Sequence, residues 1–136
     1  MTKCTKNVIA TVLSLVIGGL LYVILRENTY IAQVLRYSEI ISLMRQSLKT
    51  DEGMWISYYL PDYLWGLALT CSLIALVMPT WKGVVLCGFT AVLCGMVWEV
   101  LQFFHVIRGT GDLWDVIMYF SAGITGLFIN LKERET

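Results

Sequence analysis

Four apolar runs and one amphipathic stretch make up the pattern of this chain. Residues 8–25 carry no charge; Lys3 and Lys6 precede them, and Arg26 and Glu27 follow. Eighteen residues at a helical rise reach about 27 Å, nearly the thickness of a bilayer's hydrocarbon. This run is the first predicted span. A secretory signal would have a shorter apolar region and a small-x-small cleavage site, so the run reads as retained. Further runs predict spans at about 62–78, 84–104 and 112–131.

Residues 28–60 follow a different rule. Tyr30, Val34, Tyr37, Ile41, Met44 and Leu48 recur at alternating spacings of four and three, while Gln33, Arg36, Glu39 and Gln46 lie largely elsewhere. That spacing predicts an amphipathic helical connector between spans one and two. It lies on the membrane surface, covers the mouth of the bundle, or packs against it, and the sequence leaves these open. Thr50, Asp51, Glu52 and Gly53 signal a break. Trp55, Tyr58, Tyr59, Tyr63 and Trp65 then suit a membrane–water boundary, since each ring joins an apolar body to a polar edge. Pro61 is expected in the first turn of span two, with Asp62 beside it meeting the positive helix end. Pro79 is expected to stop that span, and Thr80–Gly83 to connect it to the next.

Composition supports the membrane reading. The 136-residue chain is 57% hydrophobic and 15% charged, more apolar than soluble domains are. The length suits a single domain over residues 1–136. The fold class is therefore all-α, a polytopic membrane protein with four transmembrane helices. A formal net charge of zero and the absence of a basic, aromatic-interleaved patch argue against a nucleic-acid partner. Cys4, Cys71, Cys87 and Cys94 show no Cys-x-x-Cys spacing and read as small apolar packing residues. No cofactor is implied.

Against this background one polar cluster stands out. Glu99, Gln102, His105, Arg108, Asp112 and Asp115 lie at the end of span three, in a glycine-containing turn and at the start of span four. Ionisable groups at membrane depth are costly and mark a function or a partner. Cys87, Ala91, Gly95 and Glu99 recur every four residues on one face of span three. Asp112, Asp115, Tyr119, Ala122 and Gly126 share a face of span four. Small residues let helices approach closely in lipid, so both faces should point inward. Counting from the span ends puts Glu99 and Asp115 at similar depth, and Asp62 begins span two on the same side.

Three readings of this cluster compete. It is an ion-pair and hydrogen-bond network fixing spans three and four, with Arg108 neutralising Asp112 and Asp115. Alternatively, Arg108 is a rigid fork for an anionic headgroup or a cell-wall precursor. The third is a divalent cation on Glu99, Asp112 and Asp115, through their hard oxygen ligands. Tyr119 either reaches a site carboxylate or simply packs. His105 reads as interfacial: the stretch lacks the His-Glu-x-x-His of a metallopeptidase helix, and no metal site is assigned. A proton-coupled four-helix exporter would carry an ionisable residue in mid-membrane, often in span one, and residues 8–25 have none. An enzyme could use two carboxylates and an arginine as acid, base and anion stabiliser, although no nucleophile or phosphatase motif is present.

The pattern Glu99-x-x-Gln102, then Arg108 nine residues after the glutamate, then Asp112-x-x-Asp115 and Gly126, resembles the VanZ-like family. The resemblance covers about residues 98–126 and weakly the span beginning at Asp62. One extra residue lies between Arg108 and Asp112, Tyr119 stands where that family often has Asn, and Ala122 stands where Gly is common. The resemblance implies a small protein of the bacterial cell membrane, some relatives of which are associated with low-level resistance to glycopeptides, notably teicoplanin. It implies no reaction. Enzyme, binding protein and non-catalytic assembly protein all stay open. Site candidates are thus Asp62, Glu99, Gln102, Arg108, Asp112, Asp115 and Tyr119, with membrane lipids as partners and an anionic headgroup or wall precursor as ligand. Four spans put both termini on one side, and lysine and arginine divide five against five between the sides. Discounting Arg108 as a site residue, and Arg36 and Arg45 as part of the connector, puts the termini in the cytoplasm.

Overall fold

The computed structural model describes residues 2–25, 50–77, 80–109 and 111–131, together with the isolated residues 43 and 46. Four helices account for nearly all of them: α1 (Lys3–Leu25), α2 (Asp51–Val77), α3 (Trp81–Phe103) and α4 (Leu113–Leu131). Each is long and apolar enough to cross a membrane. The spans predicted from the sequence are all present, and the fold is all-α. The outer faces are as apolar as the inner ones. Val12, Val16 and Leu20 on α1, Phe89 and Val97 on α3, and Phe120 and Phe128 on α4 are exposed. Such surfaces need lipid around them, and helices can offer it because their backbone groups are satisfied internally.

The boundaries differ from expectation most at α2. Residues 51–60, expected as the end of the connector, form the first turns of the spanning helix. Thr50 explains this: its Oγ1 accepts the Gly53 N–H at 3.1 Å and so caps the helix. The break signal at residues 50–53 is a helix start. Pro61 therefore lies inside α2, and Asp62 does not sit at a helix terminus. A proline there removes one main-chain hydrogen bond, and Pro61 is tolerated where it is buried beside a cavity. Trp81 to Gly83, expected as a connection, already belong to α3, with Val84 N–H reaching Thr80 O at 2.9 Å. The amphipathic periodicity over residues 28–49, apart from the isolated residues 43 and 46, the stop at Pro79 and the tail at 132–136 lie outside the described residues.

The helix α2 is the spine of the bundle. It packs on α1, on α4 and on α3, while α3 also packs on α4. Leu67, Cys71 and Ala122 form one buried cluster, joined by Ala10, Tyr63 and Ile129. Ile74, Val84 and Cys87 form a second, joined by Leu127. The predicted small-residue face of α3 is the buried one: Cys87, Ala91, Gly95 and Glu99 all lie on it. Polar pairs fix the register from within, where lipid offers no competing partner. Asn7 and Asn130 exchange side-chain hydrogen bonds at 2.9 and 3.1 Å, tying the start of α1 to the end of α4. Tyr63 OH donates to Thr125 Oγ1 at 2.9 Å across α2 and α4.

The helix α3 ends in a left-handed turn. His105 N–H bonds Gln102 O and Val106 N–H bonds Leu101 O, both at 2.9 Å, with His105 at φ 56°. This is the Schellman arrangement, whose left-handed position usually holds glycine. The His105 side chain is exposed, so its main effect is local backbone strain. His105→Gly is expected to raise stability by about 1 kcal/mol. Thermal unfolding in detergent checks this, and a lower midpoint would mean that the imidazole makes a contact worth more than the strain.

Candidate functional site

The turn from α3 to α4 brings the polar cluster together at one end of the bundle. Asp112 is its centre. It precedes α4, and its Oδ1 accepts the Trp114 N–H at 3.0 Å, which caps the helix. Its Oδ2 accepts the Tyr59 hydroxyl at 3.1 Å. Its own N–H donates to Glu99 Oε2 at 3.1 Å. Glu99 is 6% exposed, so this bond secures an otherwise costly buried carboxylate. Asp115, half-buried in the first turn of α4, favourably meets the positive end of the helix. Trp55, Tyr59 and Trp114 pack around this end in tilted and edge-to-face pairs, with ring centroids 4.6 to 6.3 Å apart.

A second bond ties in α2. Tyr119 OH donates to Asp62 Oδ1 at 3.1 Å. The Tyr119 ring occupies a slot between Gly66 of α2 and Gly95 of α3, where a Cβ on either glycine would press on it. Tyr119 is thus a bridge among three helices. Asp62 and Asp112 are close enough to Glu99 for their charges to be felt, and Asp62, Glu99 and Asp115 all act on Tyr119. Four carboxylates therefore share one region, and Asp62, Glu99 and Asp112 are held there by hydroxyls and backbone N–H groups.

Arg108 stands apart from that network. Among the described residues it makes no ion pair, so the expectation that it neutralises Asp112 and Asp115 is not met. The turn explains why. Gly109, at φ 144°, lies flat against the Gln102 amide, where a Cβ would collide, and this carries the chain over Gln102 before it returns to Glu99. Arg108 is left exposed at the rim of a cavity of about 800 Å³. Gln102, Asp62 and Tyr119 line the same cavity. Glu99, Asp112 and Asp115 do not. Nor do these three converge as a metal-holding group: none of that kind occurs among the described residues.

Several contributors were not visible in the sequence. Tyr59 reads there as a boundary aromatic, and its role depends on α2 starting early. Trp65, Trp98, Cys94, Leu15 and Tyr22 line the cavity, and the sequence marks Trp65 only as a boundary aromatic, Cys94 as a packing residue and the others as members of apolar runs. Asn7 was a possible signal, being an amide only one residue before the first apolar run. No family model, curated protein or solved structure matches this chain.

Proposed function

We propose that this protein is a VanZ-like protein of the bacterial cell membrane that engages an anionic lipid headgroup or cell-wall precursor at Arg108, and thereby affects glycopeptide susceptibility. The observation that carries the reading is Arg108 itself. It is a guanidinium without an ion pair among the described residues, on the rim of a large cavity with the Gln102 amide beside it. A planar five-donor fork matches phosphate and carboxylate, and the cavity has the size of a small-molecule site. The motif spanning residues 99–126 supports the family, and the loop charges support cytoplasmic termini with an outward-facing mouth. Binding is favoured over turnover because Glu99 and Asp112 are committed to holding the turn and do not line the cavity.

The test is a susceptibility assay in bacteria expressing the protein at matched levels. Arg108→Ala should lose whatever teicoplanin protection the wild type confers, with membrane abundance unchanged because Arg108 is exposed and makes no ion pair among the described residues. Equal protection by variant and wild type would remove Arg108 from the function.

A further inference from the structure

We infer that the cavity is a one-leaflet groove that holds the hydrocarbon chain of a membrane lipid whose phosphate sits at Arg108. This rests on the anionic-headgroup reading and narrows its ligand to a phosphate borne on a long apolar chain. The helices α1 and α3 both pack beside α2 but not along each other, and the cavity lies between them. Its lining runs from Asp62 to Ser72 on α2, from Gln102 back to Ala91 on α3, and from Tyr22 back to Thr11 on α1. Eleven or twelve residues of helix, spaced at about 1.5 Å each, reach about 15 to 17 Å. All three walls therefore give the same depth, about half the hydrocarbon thickness.

Chemistry follows that depth. Charged and amide groups gather at one end, where Arg108, Gln102 and Asp62 lie, and the Asp62 carboxylate there accepts a hydrogen bond from the Tyr119 hydroxyl. The middle is walled by Trp65, Leu69 and Trp98. The two hydroxyls at the deep end are already used: Thr11 donates to Ala68 O at 3.4 Å and Ser72 to Leu69 O at 2.9 Å. The groove floor thus makes no demand for water. A bilayer is as apolar as this groove, so the chain gains contact and orientation rather than burial from water. Arg108 selects the molecule, and the groove selects how it lies.

Cys94 reports on this directly, since it is exposed and lines the groove. Its maleimide labelling, read by peptide mass, is to be followed in detergent micelles with hexadecyl phosphate, hexadecanol or inorganic phosphate. Native mass spectrometry of the same samples counts bound ligand. Hexadecyl phosphate at about ten times its Kd should slow Cys94 labelling about tenfold, because only the unoccupied fraction then reacts. The other two probes should not, and Arg108→Ala should abolish the protection. Leu69→Trp, which fills the groove at a partly exposed position, should lose hexadecyl phosphate while remaining folded. Arg108-dependent binding of hexadecyl phosphate with no change at Cys94 would overturn the groove and leave the headgroup reading intact. Protection by hexadecanol equal to that by the phosphate would overturn both. So would binding of none of the probes.

Discussion

Gly95→Leu is expected to cost about 3 kcal/mol, the upper part of the range for overpacking a tight interior. The helices α3 and α4 meet with the Tyr119 ring directly over Gly95, and a single added carbon already collides with it. The ring cannot retreat towards α2, because Gly66 and Ala122 close that side. Swinging into the cavity relieves the clash only by giving up the hydrogen bond to Asp62. One substitution therefore loosens the contacts of α4 with both α2 and α3. Gly19→Leu is the matched control. No atom lies within 4 Å of a Cβ there, and leucine is the better helix former. Thermal unfolding of the two variants in one detergent should separate them clearly, with Gly19→Leu at or above wild type. Equal midpoints would mean that Tyr119 does not occupy the slot described.

The second large effect separates two substitutions at one residue. Glu99→Leu should destabilise by about 2 kcal/mol, because it leaves the Asp112 N–H without its acceptor. Glu99→Gln keeps an oxygen in the same place and removes one charge from a region shared with Asp62 and Asp112. It should be at least as stable as wild type. The comparison isolates what Glu99 does: it accepts a hydrogen bond that orients the turn. If the amide destabilised as much as leucine, the charge itself would be the stabilising element, and a cation would have to be sought near it. Unfolding midpoints of both variants, measured together, decide this.

The sequence discloses the helices well and their side-chain partners poorly, for a physical reason. Spanning is a property of composition and length, so residues 8–25 announce α1 without any neighbour. The inward face of α3 is equally legible, because small residues at four-residue spacing have meaning on a single helix. The start of α2 is not. Whether Thr50 caps a helix or ends a connector depends on what the following aromatics pack against. The reading of Pro61 as a first-turn residue was reasonable locally and fails because the cap lies eleven residues earlier. At the candidate site, the gathering of Glu99, Asp112 and Asp115 was foreseeable from depth counting. The separation of Arg108 from them was not, since it depends on how Gly109 folds the chain over Gln102. The cavity was wholly invisible, as it is defined by the gap between α1 and α3.

We propose a division of labour at the α3–α4 turn, in which the acids fix the structure and Arg108 faces the ligand. A lipid census by native mass spectrometry tests it most directly, comparing wild type, Arg108→Ala and Glu99→Gln purified in parallel. The account predicts an anionic lipid retained by wild type and Glu99→Gln and missing from Arg108→Ala. Retention of that lipid by Arg108→Ala, or its loss from Glu99→Gln alone, would contradict it.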